Sequence, residues 1–155
     1  MAAYFMDSGA LVKRYVQERG TRWVRNLSRR NAPSHIYLAR ITDVEVTAAV
    51  ARHRKGKTLT AAKASSILSR FRKHIAGRYT VVEITLAVLK HAATLANAHA
   101  LLALDAGQLA VAIEVNRPYQ SSGACTVTLV SADQALNAFA AAERLVVEDP
   151  TTHSW

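Results

Sequence analysis

Four acidic residues stand where carboxylates could do chemistry: Asp7 in "YFMDSGALVKRY", Glu45 in "ARITDVEVTAAV", Asp105 in "HALLALDAGQLAVAI" and Asp133 in "TLVSADQAL". Asp105 is the most telling. Its neighbours one helical turn away are Leu101, Leu102, Gln108 and Leu109, and the opposite face (Ala103, Ala106, Ala110) is no more polar. A helix apolar all round is normally buried, and a lone buried carboxylate is costly unless something pairs with it. Asp105 is therefore expected to be a functional group or an ion ligand. The other three have a simpler alternative as helix caps. Asp7 can cap the helix that follows it, "TDVE" reads as a capping box between Thr42 and Glu45, and Asp133 competes with Ser131, the better cap, with Gln134 completing its box. Taken together the four point elsewhere. Two carboxylates about 4 Å apart repel by about 4 kcal/mol at an effective dielectric near 20. Four at one rim raise one another's pKa unless a cation sits among them. Oxygen ligands without His or Cys select a hard divalent ion, Mg²⁺ or Mn²⁺. The six histidines form no i, i+4 pair near these acids, so zinc is not expected.

Short β-rich runs at 3–6, 35–39, 79–84, 126–131 and 144–148 alternate with helical patterns around 9–16, 20–30, 43–55, 59–76, 85–99, 102–116 and 132–142. Alternation of this kind predicts a parallel sheet covered by helices on both faces. Ligands gather beyond the carboxyl ends of such strands, and sequence order puts all four acids near that rim. Segment 116–126, with Pro118, is expected to be the one long loop, and residues 150–155 a loose tail. The 155 residues suit a single domain that buries about two-thirds of its unfolded surface.

The formal charge is +9, unevenly placed: residues 1–90 carry 18 Lys and Arg against 5 acids, a net +13, and residues 91–155 carry 2 against 6, a net −4. The cations cluster at Arg22, Arg25, Arg29 and Arg30, at Arg52, Arg54, Lys55 and Lys57, and at Arg70, Arg72 and Lys73. They form either a solvated face or a surface for a polyanion, with nucleic acid the obvious candidate. A single cysteine, Cys125, excludes an internal disulfide and fits a reducing cytoplasm. The opening residues lack the pattern of a secretory signal. Residues 95–115 are long enough to cross a membrane, but a central Asp costs roughly 2.5–3.5 kcal/mol on insertion, so a cytoplasmic protein with no membrane partner is expected.

The four quoted segments, in this order and spacing, resemble the PIN domain, especially the VapC-type toxins of toxin–antitoxin pairs, from residue 3 to about 148. The resemblance implies a three-layer α/β/α sandwich with a five-stranded parallel sheet and a metal-dependent endoribonuclease whose acid quartet is Asp7, Glu45, Asp105 and Asp133. Two positions depart from the family pattern: Gly107 and Gln108 stand where a bulky aliphatic residue and a His are common. Gln108 shares a face with Asp105 and is expected to orient it or a metal-bound water.

The resemblance also distributes roles. Asp7 and Asp105 are the expected direct ligands of Mg²⁺ or Mn²⁺, with Glu45 and Asp133 binding directly or through water. One of the latter pair would orient the attacking water, leaving a 5′-phosphate and a 3′-hydroxyl. Ser8 and Ser131 flank two acids and are expected to support them or to cap helices. Lys13 and Arg14 are expected to hold RNA phosphates or meet an antitoxin's acids, if they are not plainly solvated. A cognate antitoxin covering the acidic rim and a homodimer are implied partners, and Leu59, Ile67, Leu68 and Phe71 form a stripe suited to either dimer contact or core. A non-catalytic PIN module that binds RNA or a protein is the alternative, though it calls for a damaged quartet. An aspartyl phosphatase wants a second acid two residues after the first, and residue 9 is Gly.

Overall fold

Five strands carry the molecule: β1 (Ala2–Met6), β2 (Ser34–Ala39), β3 (Thr80–Val82), β4 (Val127–Val130) and β5 (Val146–Glu148). They are drawn from a computed structural model that describes residues 1–123 and 125–153. All neighbours pair in parallel, in the order β3-β2-β1-β4-β5. The chain winds outward from β1 through β2 to β3, then crosses back to β4 and β5. Winding therefore reverses between β1 and β4, which leaves a crevice beyond their carboxyl ends.

Seven helices among the described residues cover the sheet: α1 (Ser8–Val12), α2 (Thr21–Leu27), α3 (Thr42–Lys55), α4 (Ala61–Gly77), α5 (Leu86–His99), α6 (Ala103–Ser122) and α7 (Gln134–Ala142). Strand residues alternate between two cores, as the pleat requires. Ala3, Phe5, Val127 and Leu129 pack with α5, α6 and α7. Met6, Ile36, Leu38 and Val130 pack with α1 to α4. The three-layer α/β/α sandwich and its five-stranded parallel sheet are as expected. Each strand and helix lies within a few residues of its predicted place, α6 excepted.

Several expectations are corrected. Residues 116–122 are not a loop, since α6 runs through Pro118 to Ser122. An internal proline costs a backbone hydrogen bond, but tertiary bonds hold this end of the helix. Asn116 Oδ1 accepts from the Val127 amide at 2.8 Å, and the Tyr119 and Tyr37 hydroxyls meet at 2.8 Å. Residues 150–153 are not a loose tail either. Pro150–Thr152 form a 3-10 turn capped by Asp149, Pro150 is buried, and His153 stacks on Trp23 with ring centroids 4.5 Å apart. Gly20 makes this docking possible: its φ of +88° is unfavourable for other residues, and a Cβ there would lie 2.6 Å from the Pro150 carbonyl oxygen. Residues 154 and 155 lie outside the described residues. The apolar stripe of α4 belongs to the core, with Phe71 and Ile67 buried and Leu59 and Leu68 packed against the same cluster. Among the described residues no single helix is long and apolar enough to cross a membrane, and α5 and α6, which pass only as a pair, meet at a bend of 118°.

Candidate active site

The strand ends place the acids as the parallel-sheet rule requires. Asp7 follows β1 directly, and its amide donates to Val130 at the end of β4, 3.1 Å away. Its side chain caps the short α1, accepting from the Gly9 amide at 3.3 Å, where a Cβ at residue 9 would itself sit 3.3 Å from Asp7 Oδ2. Asp133, separated from the end of β4 by Ser131 and Ala132, caps α7 by accepting from the Leu136 amide at 2.9 Å. This reverses the expectation that Ser131 is the cap. Ser131 is fully buried and its hydroxyl accepts from the Asp133 amide at 3.1 Å, so it supports the acid from behind.

Glu45 is not part of a capping box. α3 begins at Thr42 with Ile41 as an N-cap that makes no side-chain bond. Both Glu45 carboxylate oxygens are held by other elements: Oε2 accepts from the Ser8 hydroxyl at 2.6 Å, and Oε1 from Gln108 Nε2 at 2.8 Å. Gln108 Nε2 also donates to the Thr42 hydroxyl at 3.1 Å. Side chains of α1 and α6 thus fix the rotamer of an acid on α3.

Asp105 is where the sequence reading needs most revision. The apolar pattern starts at Leu101, but α6 starts at Ala103, and Leu102 and Leu104 are exposed. Asp105 is half-buried in the first helical turn, where the helix dipole favours an acid, and not enclosed on an apolar face. Its link to the other acids survives. Burial, then the charges of Asp133 and Glu45, raise its pKa. Asp7 is buried and pushed up to about 7, first by desolvation, then by the charges of Glu45 and Asp105. The four carboxylates therefore share one electrostatic neighbourhood at the crevice.

Among the described residues, no three Asp, Glu, His or Cys side chains already stand in a ligand arrangement for a metal ion. The donor chemistry nonetheless fits a hard divalent cation, because the rim offers carboxylate oxygens that repel one another and no soft ligand. Gln108 adds a buried acceptor: its Oε1 has no hydrogen-bond partner, beside the Glu45 contact made by its Nε2.

Lys13 and Arg14 lie away from this rim, and neither is solvated. Lys13 pairs with Glu18 at 2.9 Å, and Arg14 is buried, donating to the Tyr79 hydroxyl at 2.6 Å. Sequence reasoning missed Thr42 and the tyrosines that surround Arg14. Thr42 was legible only as a cap, and no local pattern marks Tyr79.

The fold is the three-layer α/β/α sandwich with a five-stranded parallel sheet that the resemblance implies. No protein-family model matches the chain, and neither does any curated protein. Solved structures do. VapBC2 from Rickettsia felis, bound to a DNA fragment from its promoter, is similar with a TM-score of 0.61 and 16% identity, covering 95% of this chain and 98% of that one. PAE2754 from Pyrobaculum aerophilum matches with 0.64 and 20%, covering 97% and 85%. FitAcB from Neisseria gonorrhoeae matches with 0.59 and 21%, covering 95% and 97%. At these identities the likeness is one of fold.

Proposed function

We propose that this chain is a divalent-metal-dependent endoribonuclease, the toxin of a toxin–antitoxin pair. The observation that carries the reading is the meeting of Asp7, Glu45, Asp105 and Asp133 at the crevice where the sheet reverses its winding, with Glu45 clamped by Ser8 and Gln108. A complete quartet argues against a module that only binds RNA. Asp7 and Asp105 would hold Mg²⁺ or Mn²⁺, with Glu45 and Asp133 completing the set directly or through water. When bound, the ion supplies Lewis acidity, acidifying a water and offsetting charge on the phosphodiester. The protein's own part is positioning. Ser8 and Gln108 fix the carboxylate plane of Glu45, and Ser131 and Leu136 fix Asp133. Either acid would then orient a water for in-line attack, which would leave a 5′-phosphate and a 3′-hydroxyl.

The rim also suits a protein partner. Val44, Leu102 and Leu104 are exposed around it, and a groove of about 210 Å³ runs from Val12 and Ala49 past Val44 and Leu104 to Glu45. A partner segment bearing an apolar side chain and a basic one would fill the groove and neutralise the acids. That is the chemistry of an antitoxin, and two of the similar structures carry names for pairs, VapBC2 and FitAcB.

The test is RNA cleavage with added Mg²⁺ or Mn²⁺. Wild type cleaves and chelation stops it. Asp105→Asn lowers the rate by at least about a hundredfold, while far-UV circular dichroism stays unchanged. Wild-type cleavage by this variant, or cleavage that persists in chelator, overturns the assignment.

A further inference from the structure

A second charged site lies at the other end of the sheet, by the amino-terminal ends of β2 and β3. Two adjoining cavities of about 500 and about 340 Å³ share Arg29, Arg30, His74 and Arg78. Arg14, Arg25 and Arg70 line the smaller, and Lys73 the larger. Among the described residues, none of these Lys or Arg side chains has a carboxylate within ion-pair distance.

The floor is built and not a loose surface patch. Arg14 is 9% exposed. Its guanidinium donates to the Tyr79 hydroxyl at 2.6 Å and lies within 5.8 Å of the Tyr15 and Tyr79 ring centroids. Tyr15 in turn bonds Tyr79 at 2.9 Å and His74 Nδ1 at 2.8 Å, and Arg70 covers its ring. Arg25 Nε donates to the Arg14 carbonyl at 3.0 Å. A guanidinium taken out of water without an anion is costly, and these aromatic contacts replace only part of its hydration. His74 reports the same excess of positive charge: burial, then Arg14, Arg78 and Arg70, push its pKa down to about 4.

The missing counter-charge has a recognisable chemistry. Arginine forks match phosphate oxygens, and two joined cavities suit successive phosphates of one strand better than a single ion. An acidic protein segment fits less well, because protein interfaces need apolar anchors at their centre. None of the exposed large apolar side chains, which include Met1, Val44, Leu86, Leu102 and Leu104, lines either cavity. We propose that this arginine cavity is an exosite for the phosphodiester backbone of single-stranded RNA, opposite the acids. The identity of the strand as substrate rests on the ribonuclease reading; the anion chemistry does not.

The test is fluorescence anisotropy of a labelled oligouridylate with the full chain in chelator, across a range of KCl. Arg29 and Arg30 are exposed, so the R29A/R30A variant keeps its fold, checked by an unchanged melting temperature. It should bind at least about tenfold more weakly at low salt, and its slope of log affinity against log salt should be shallower by about 1.4. The charge reversal R29E/R30E should abolish binding. Polyglutamate of equal charge should displace the RNA only at much higher concentration. Wild-type affinity and slope in both variants, or displacement by polyglutamate at equal charge, overturns the exosite. Asp105→Asn separates the two readings. It should bind RNA at least as tightly as wild type and fail to cleave it, so retained cleavage sinks the nuclease assignment alone, and wild-type binding by R29A/R30A sinks the exosite alone.

Discussion

Asp7 ties stability to both pH and metal. Its carboxyl has a pKa of about 7 in the fold, against 3.8 for the ordinary group. The folded state therefore holds the proton more tightly than the unfolded chain does. The resulting stabilisation is complete below about pH 4 and is lost as pH rises through 7. His74 works in the opposite sense, since a pKa of about 4 against 6.5 makes its contribution grow between those two values. Above pH 6.5 the His74 contribution no longer changes, while that of Asp7 is still falling. Asn is as good a helix cap as Asp, so Asp7→Asn should be more stable than wild type above pH 7, by on the order of 4 kcal/mol. The difference should vanish near pH 4; calorimetry of both proteins without divalent ions across this range checks it. Ions bind the ionised form, so the rise in melting temperature given by Mg²⁺ should grow through pH 7 in wild type and be smaller in the variant. Ser8→Ala removes one of the two bonds that hold Glu45 and should cost about tenfold in activity or metal affinity, measured by titrating Mn²⁺ against cleavage rate.

At the scale of elements, the strands were legible because parallel, doubly covered strands read as short apolar runs, and the rule of carboxyl-end ligands then located Asp7, Glu45 and Asp133. Asp105 was located for a partly mistaken reason. The start of α6 is invisible in the sequence because Leu101 and Leu102 continue the apolar pattern and no side chain caps the helix. What reads as a buried carboxylate is an acid in an opening turn. Likewise Pro118 reads as a stop, and only the tertiary partners of Asn116 and Tyr119 explain why the helix passes it. The basic clusters were visible as clusters, but not their convergence. Arg14, Arg29, Arg70 and Arg78 meet across as many as 64 positions, while Arg52 and Arg54 from the middle cluster do not join them. Gly20 belongs here too. Gly20→Ala forces a Cβ against the Pro150 carbonyl in a backbone conformation alanine disfavours, and the melting temperature should fall by about 5 °C or more.

Across the whole molecule, charge is separated along the strand direction, with carboxylates beyond one end of the sheet and arginines at the other. Each set is strained by its own repulsion, so counter-ions of the right sign should stabilise the fold from either end. Pyrophosphate should raise the melting temperature more than chloride at equal ionic strength, with the logarithmic concentration dependence of a ligand that binds only the folded state. The R29A/R30A variant should lose much of that response. The contact of Trp23 and Gly20 with the turn at Pro150–Thr152 has a consequence of its own. α2 has only seven residues, too few to persist unaided, and it delivers Arg25 and leads into Arg29 and Arg30. Cutting the chain after Glu148 would knock away that buttress and should blunt the grip on nucleic acid with every arginine still in place.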